Sequence, residues 1–438
     1  MYSQYLTETA ICKLRFGLLG LIQMNFIQSR TFRLYLLSIF ICLFWVLIQW
    51  ELTLVDIKIL LPLLFSFLII FSYKIYLEKF NKVFAYILFF SISFTSIFGI
   101  TNVMDGSFAL STNPILYGLA FYSVFFAFHV YKKSLNMSFI WIAANPLLLI
   151  TGPIAFRFKS INYIKLKQRL SYYFPFFLIG VVFFKIIATP LTPFFELINS
   201  TNAIEVLVFG IIFELFVYFN FCGLSLIIYA IFGVLGLKIP LNFKQPFSSR
   251  NIIDYWRGWH RSLSYVLKHL FYLPVRNKYS INIALFVVFL SSALWHGVSV
   301  NFMLWGAFHA LCFIVSVKFL KKDLKLLSLF LMVFSIIVGR VIFSETDLDR
   351  LILKLSFSFN SPTELINLFE NIPAVSFISL LLATLWISLE FFLKDIRFFR
   401  ERSYKFLRIP ILQIMLMIIF ILLVGSEIGI EYAVYNQR

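Results

Sequence analysis

The chain has 438 residues, of which 61% are hydrophobic and 20% aromatic, and its mean hydropathy is +0.91. This apolar content is far above that of soluble domains and excludes a water-soluble globular protein. The net charge of +18 lies in short breaks between apolar runs and on no separate soluble domain. This pattern argues against a nucleic-acid-binding module and indicates cytoplasmic loops beside anionic lipid headgroups.

The first half of the chain predicts a series of membrane helices. A short apolar segment from Phe16 to Ile27 is interpreted as an interfacial or first membrane helix rather than a removed signal peptide. Continuous apolar runs, each close to the length that crosses a bilayer, follow at Tyr35 to Trp50, Ile57 to Tyr73, Val83 to Ile100, Pro114 to Tyr131 and Phe139 to Ile154.

A basic loop or surface helix, Arg157 to Arg169, comes next, and apolar runs then resume. The run from Ala203 to Leu237 is long enough for two short helices, with Gly223 as the break. The other runs are Phe174 to Ile187, Ile281 to Leu294, Phe302 to Phe319, Leu324 to Phe343, Val375 to Leu393 and Ile409 to Gly425. We therefore predict an all-α polytopic membrane protein, a single domain over residues 1–438 with about 11 to 13 membrane segments.

The segment from Lys238 to Lys278 is too polar to lie in lipid and predicts an amphipathic surface helix. Asn251 with Asp254 three residues later resembles a helix start. On a continuous helix, one face would carry Trp256, Trp259, His260 and Leu263, and another Arg257, Arg261 and Lys268. Either an aromatic-basic membrane anchor or a functional surface explains this pattern, although a membrane anchor does not require a histidine on the inner face.

His296 is the first candidate for chemistry because it follows an uncharged apolar run, in Ser291-Ser-Ala-Leu-Trp-His-Gly297. Ionisable residues in membrane segments usually face the bundle interior for a functional reason. Trp295 supplies a large wall and Gly297 allows another backbone or a substrate to approach closely. The alternative is a buried histidine that only completes the packing.

A second polar feature follows on the next predicted helix. Asn301, Trp305 and His309 are spaced at i, i+4 and i+8, so they form one polar-aromatic stripe. The stripe could support the site at His296. It could equally be a hydrogen-bonded packing seam between helices, which is the favoured interpretation for Asn301 and His309 taken individually.

No metal site is expected from the sequence. The four cysteines, Cys12, Cys42, Cys222 and Cys312, stand singly in apolar sequence, and no histidines have metal-protease spacing. The cysteines are interpreted as small core residues.

Taken together, the residues from Asn242 to Leu311 resemble the membrane-bound O-acyltransferase family, in particular the bacterial branch with the alginate O-acetylases and the teichoic acid D-alanyl transferase. The resemblance is carried by Asn242-Phe-Lys-Gln-Pro-Phe247, Asp254 to Ser264, Tyr272-Leu-Pro274, Leu294-Trp-His-Gly297 and Trp305-Gly-Ala-Phe-His309, in that order. Weaker similarity, including Asn145 to Pro153 and Asn220 to Ser225, extends it over residues 115 to 345.

The resemblance implies a ring of tilted helices around a central tunnel that reaches the histidine. It implies that His296 is the catalytic histidine and that His260 is a second important polar position. It also implies acyl transfer from an activated thioester, acyl-CoA or an acylated carrier protein, to a hydroxyl, with no bound cofactor. The family-level acceptor is a cell-envelope or secreted polysaccharide, and a partner transferase outside the membrane could complete the reaction.

Elementary chemistry is consistent with this implication. A neutral imidazole can take the proton of a hydroxyl near neutral pH, or it can carry the acyl group itself, and the sequence leaves both routes open. Around His260, the cations Arg257 and Arg261 suit an anionic thioester donor, although lipid headgroups would explain the same charges.

Two other functions compete with acyl transfer. One is a transporter or flippase with a histidine-lined pathway, against which the sequence shows no repeated half and no paired intramembrane acids. The other is a scaffold that keeps the fold without catalysis. Under the family resemblance, the expected location is the cytoplasmic membrane of a bacterium.

Overall fold

The computed structural model describes residues 36, 39, 145, 148, 159–161, 164–296, 299–359 and 362–392. The chain divides into two compact units, Met1–Phe89 with His129–Ile150, and Phe90–Phe128 with Thr151–Arg438. All the described residues from 159 onward belong to the second unit. The apolar runs predicted before residue 155 and after residue 393 lie outside the described residues, and the single-domain organisation stays a prediction.

The first long helix is not uniformly α-helical. Helix α1, Leu166–Val181, continues through a π-helical stretch, Val182–Ala188, and a 3-10 stretch, Thr189–Asn199. Together they form an apolar segment of 34 residues that is long enough to cross a membrane. The apolar run predicted at Phe174 to Ile187 is therefore confirmed as part of a longer span.

Helix α2, Ala203–Val234, is continuous, so the predicted division at Gly223 is wrong. Asn202 caps its start by accepting the Ile204 N–H at 2.9 Å. Gly223 instead serves packing between helices, because a Cβ there would lie 2.7 Å from the carbonyl oxygen of Gly180 on α1. A small residue at this point lets the two backbones approach closely.

The polar segment after α2 folds into short elements. Strand β1, Lys159–Ser160, pairs antiparallel with β2, Leu237–Lys238. A 3-10 turn, Pro246–Ser248, precedes α3, Ile252–Gly258, and α4, Arg261–Leu267, which a π-helical turn, Lys268–Tyr272, joins to α5, Leu273–Arg276.

The helix start predicted at Asn251 is confirmed, since its side chain accepts the Asp254 N–H at 2.9 Å. The single continuous helix through His260 is wrong. The chain breaks between α3 and α4, where His260 adopts a left-handed conformation with φ 37°. Even so, Trp259, His260 and Leu263 are buried and Arg257 and Arg261 are exposed, as the face assignment predicts.

Three apolar helices then pack in sequence: α6, Ile281–His296, α7, Val300–Lys321, and α8, Lys325–Ser344. They confirm the three apolar runs predicted in this part of the chain. Helix α3 packs against α7 and α8, and α2 packs against α1 and α8. This arrangement brings the polar segment against the helices that carry the candidate residues.

Two short amphipathic helices, α9, Leu348–Leu355, and α10, Thr363–Asn371, precede α11, Ala374–Phe392. The sequence analysis assigned nothing to α9 and α10, because they are too short and too polar to resemble membrane spans. The described residues contain five helices that are long and apolar enough to cross a membrane, which confirms an all-α polytopic membrane protein.

A buried charge cluster fixes α9 at the end of α8. The Glu345 carboxylate accepts from Lys354 Nζ at 2.6 Å and from Arg350 Nε at 2.7 Å. Burial acts to raise the pKa of Glu345, but the hydrogen bonds from Arg350 and Lys354 outweigh it and lower that pKa to about 2. The cluster therefore holds a carboxylate that stays ionised.

Candidate active site

Asn242 shapes the break between α3 and α4. Its backbone carbonyl accepts the Arg261 N–H at 2.8 Å. Its side-chain oxygen accepts the N–H of Ser262 at 3.2 Å and the Ser262 hydroxyl at 2.8 Å. Three hydrogen bonds from one residue thus hold the first residues of α4, directly after His260.

Gly258 lets the segment around Lys244 lie close beneath this break. The Lys244 N–H donates to the Gly258 carbonyl at 2.9 Å, and a Cβ on Gly258 would lie 2.8 Å from the Lys244 carbonyl oxygen. A larger residue could not pack here without moving the backbone. The Asn-Phe-Lys-Gln-Pro motif and the Trp-Arg-Gly-Trp-His motif therefore meet in space.

His260 lies in an aromatic enclosure. It is 8% exposed, and its ring centroid lies 4.8 Å from that of Phe221 and 6.5 Å from that of Phe243. Burial lowers the pKa of His260 to about 3. His260 is therefore neutral at physiological pH, and its Nδ1 accepts the Leu263 N–H at 3.4 Å, which caps the start of α4.

His296 ends α6 and is half-buried. Its centroid lies 4.9 Å from Phe343, 5.7 Å from Trp305 and 6.0 Å from Phe302. His260 is near enough to interact electrostatically with this ring, and Arg340 lies near an aromatic neighbour of each histidine, Trp259 and Phe343. The fold thus brings together the two histidines that are 36 positions apart in the sequence.

The predicted stripe on α7 is buried. Asn301 is 1%, Trp305 3% and His309 3% exposed. The amide of Asn301 donates to the Phe343 carbonyl at 3.0 Å and accepts from the Ser299 hydroxyl. This geometry fits the packing interpretation of Asn301, which joins α7 to the end of α8.

Trp305 separates two histidines. Its ring centroid lies 5.7 Å from that of His296 and 4.9 Å from that of His309. Trp256 packs on the same group, 6.0 Å from Trp305 and 5.1 Å from His309. Trp305 is thus a wall that His296 contacts from one side and the Trp256–His309 pair from the other.

A buried ion pair between Arg340 and Glu214, which the sequence did not predict, lies beside this wall. Arg340 on α8 forms a salt bridge with Glu214 on α2, and the Tyr255 hydroxyl donates to Glu214 at 2.7 Å. A charged residue of opposite sign in each of two apolar runs was the signal that could have revealed the pair. No local pattern pairs these two residues, because they lie on different helices and 126 positions apart in the sequence.

Arg340 also contacts aromatic side chains next to both histidines. Its guanidinium carbon lies 5.1 Å from the ring centroid of Trp259, which precedes His260, and 5.7 Å from that of Phe343, which packs on His296. These are cation–π distances. The Glu214–Arg340 pair therefore lies behind the two candidate histidines.

The two predicted basic residues, Arg257 and Arg261, are both exposed. Arg257 pairs with Asp254 at 3.1 Å, with the Arg257 side chain 75% exposed. Arg261 is exposed, and its guanidinium donates to the Leu241 carbonyl at 3.4 Å. Both are on the outer face of the polar segment, where an anion could bind.

Two predicted positions cannot be described further. Gly297 and the side chain of Trp295 lie outside the described residues.

Among the residues that are described, no three side chains of His, Cys, Asp or Glu converge on a point where they could hold a metal ion.

The family model of MBOAT, the membrane-bound O-acyltransferase family, matches residues 30–343 of the 438-residue chain. The match includes α1 to α8 and every candidate residue described above.

Curated relatives match over a shorter length. The chain is 29% identical over 109 residues to the teichoic acid D-alanyltransferase of Bacillus subtilis (strain 168), covering 22% of this chain and 28% of the relative. It is 36% identical over 98 residues to a probable alginate O-acetylase of Pseudomonas syringae pv. tomato, covering 22% and 19%. It is 30% identical over 121 residues to the peptidoglycan O-acetyltransferase of Helicobacter pylori, covering 27% and 23%. The matched segments thus span less than a third of each relative.

Proposed function

This chain belongs to the membrane-bound O-acyltransferase family, and on that premise we propose that it transfers an acyl group, acetyl in the first instance, from a cytosolic thioester to a hydroxyl of a cell-envelope or secreted polysaccharide. The observation that carries the proposal is a half-buried imidazole, His296, at the end of an apolar helix and beside a second, buried imidazole, His260.

His296 is the catalytic residue in this proposal. As a general base, its unprotonated ring nitrogen takes the proton of the acceptor hydroxyl while the oxygen attacks the thioester carbonyl. The carbon–sulfur bond then breaks, and the thiolate takes the proton back from the imidazolium. The imidazole ends as it began, and the products are an ester and a free thiol.

A nucleophilic route uses the same residue. The ring nitrogen of His296 attacks the thioester and expels the thiolate, and the hydroxyl oxygen then attacks the acyl-imidazole, which releases the imidazole while the thiolate takes the hydroxyl proton. Trapping after a short exposure to labelled donor without acceptor separates the routes, since only this one leaves label on the protein.

His260 is proposed to orient the thioester. Because burial lowers its pKa to about 3, it does not carry charge at neutral pH, and it acts through hydrogen bonding. The left-handed turn that Asn242 stabilises supports this role by fixing the ring position.

The exposed cations Arg257 and Arg261 are proposed to bind the phosphates of an acyl-CoA or of a phosphopantetheine-linked carrier. Their position on the outer face of the polar segment supports a donor that arrives from the aqueous side. Lipid headgroups are the alternative ligand. Replacing both with Gln should raise the donor KM if they bind the donor, and leave it unchanged if they bind headgroups.

The relatives that match this chain are named for alginate, teichoic acid and peptidoglycan. These names support a bacterial cytoplasmic membrane as the location and an envelope or secreted polymer as the acceptor. Transfer to such an acceptor can involve a partner transferase outside the membrane.

The test uses membranes that contain the wild-type chain, His296→Ala or His296→Gln, supplied with labelled acetyl-CoA. We expect label in an envelope or secreted polysaccharide with the wild type and none with either variant. His269→Ala is the matched control. His269 lies in the polar segment beside His260, where it packs on Tyr265 with 4.0 Å between ring centroids. Transfer that survives in His296→Ala would overturn the proposal. Movement of the polymer without labelling would identify a transporter instead.

A further inference from the structure

A small polar cavity lies behind the aromatic wall of His296, where α2, α3, α7 and α8 meet. One lining residue, Ile336, is aliphatic, and the others are Glu214, Tyr255, Trp256, Trp305, His309 and Arg340. It leaves about 10 Å³ for the centre of a water molecule, which is room for one. The lining is therefore far more polar than the lipid-facing surface of these helices.

Two of the lining side chains have unsatisfied hydrogen-bonding atoms. Trp256 Nε1 and His309 Nδ1 are both buried, and neither has a hydrogen-bond partner among the described residues. Buried polar atoms are nearly always satisfied by protein or by an ordered water. Two such atoms on one cavity point to a ligand inside it.

The chemistry of the lining selects the ligand. The indole N–H of Trp256 only donates, so the ligand must accept a hydrogen bond, which excludes a cation. The charges of Glu214 and Arg340 offset each other in their ion pair, so the lining has no net charge that would attract an anion. A neutral molecule of the size of water, which both donates and accepts, satisfies all these conditions.

We infer that this cavity binds one water molecule, held by Trp256 and His309, and that the hydrated site positions Trp305 against His296. The positioning role rests on the proposed function, because the position of Trp305 matters for the reaction only if His296 is the catalytic residue. Trp256, His309 and Trp305 are then positioning residues, and none of them touches the reacting atoms.

Gly339 provides the means of testing the site. It faces the His309 ring from α8, and a Cβ there would overlap Nε2 of His309. In Gly339→Ala the ring must move, and the water site must change shape with it. Gly210→Ala, on α2, is the matched control, since its Cβ would meet Val341 at 3.1 Å and the side chain and carbonyl oxygen of Ile337 at 3.2 Å on α8, but not the His309 ring.

The first measurement is a cryo-electron microscopy map of the full-length wild-type chain in lipid nanodiscs, at a resolution that shows other buried waters. We expect one density peak about 2.7–3.2 Å from both Trp256 Nε1 and His309 Nδ1. A map with no such peak overturns the water site. This result does not depend on activity, so it remains distinct if His296→Ala shows that the proposed function is wrong.

The second measurement separates kcat from the donor KM. We expect Gly339→Ala to lower kcat by about ten- to a hundred-fold with an unchanged donor KM, while Gly210→Ala keeps its kcat. His309→Gln, which retains a hydrogen-bonding group, should keep more activity than His309→Leu. Equal kcat values for Gly339→Ala and Gly210→Ala, or for the two His309 variants, would overturn the positioning role.

Discussion

The side-chain oxygen of Asn242 accepts two hydrogen bonds from Ser262, one from its backbone N–H and one from its hydroxyl. Both residues are 1% exposed, so water cannot replace these bonds. The left-handed turn at His260 is thereby held from the segment that precedes α3. Asn242 is 18 positions from His260 in the sequence, yet it fixes the backbone on which that imidazole depends.

Asn242→Ala should therefore lower both stability and activity. It leaves the Ser262 N–H without its acceptor, which costs about 1–3 kcal/mol. Thermal unfolding in detergent and acyl transfer in membranes measure the two effects. Ser262→Ala and the double variant complete a double-mutant cycle. A coupling energy of zero would mean that the two side chains act independently.

Breaking the Glu214–Arg340 pair should destabilise the protein strongly. Arg340→Met leaves a buried carboxylate without its cation, and removing one partner of a buried pair costs about 3–5 kcal/mol. The double variant Glu214→Gln with Arg340→Met should recover part of this loss. The free energy of unfolding in denaturant is the measurement.

An exposed pair provides the comparison. Lys325 and Asp323 form an ion pair with both side chains almost four-fifths exposed, and Asp323→Asn keeps a residue type that tolerates its positive φ. This variant should unfold like the wild type. A loss as large as that of Arg340→Met would show that burial is not the cause.

Because His260 is buried, we expect the free energy of unfolding to decrease as the pH falls. Its pKa is lowered by burial from 6.5 to about 3, so below pH 6.5 the unfolded chain binds a proton that the folded chain does not. The free energy of unfolding is therefore at its full value above pH 6.5 and decreases as the pH falls toward 3, by up to about 1.4 kcal/mol per pH unit.

Denaturant unfolding between about pH 5 and 6.5, for the wild type and for His260→Gln, measures this slope. The variant should be less sensitive to pH. The carboxylate of Glu345 adds a similar acid sensitivity, but only below its ordinary pKa of 4.5. Identical slopes in the two proteins would contradict a buried neutral His260.

The effect of Gly223→Ala on stability distinguishes two interpretations of this glycine. A glycine that merely weakens a helix predicts that Gly223→Ala stabilises the protein by up to about 1 kcal/mol. Its close contact with Gly180 predicts the opposite, a loss of about 1–3 kcal/mol from overpacking. Thermal unfolding decides between them, with the loss as our expected result.

Much of the fold follows from the sequence because lipid imposes a simple rule. Runs of apolar residues must be helices, and the runs at α6, α7, α8 and α11 are confirmed almost to the residue. The resemblance to the acyltransferase family, based on residues 242 to 311, is confirmed by the family model over 30–343.

What the sequence could not reveal depends on contacts between distant residues. The break at His260 requires Asn242, and no local pattern indicates a left-handed residue inside an amphipathic segment. The role of Gly223 depends on Gly180 of another helix. Arg340 was overlooked because its partner, Glu214, is 126 positions away.

The catalytic roles of His296 and His260 stay predictions, although the fold brings the two residues together. The same holds for the supporting roles of Trp256, Trp305 and His309, whose burial alone does not distinguish catalysis from packing.

The unequal exposure of the two imidazoles has a consequence for fidelity. Water is itself a hydroxyl compound, so under the proposed function a half-buried His296 that water reaches would activate water as it activates a sugar. The enzyme would then waste donor by hydrolysis whenever the acceptor is missing. Selectivity for the polymer must therefore come from the acceptor itself, which displaces solvent from the imidazole when it binds.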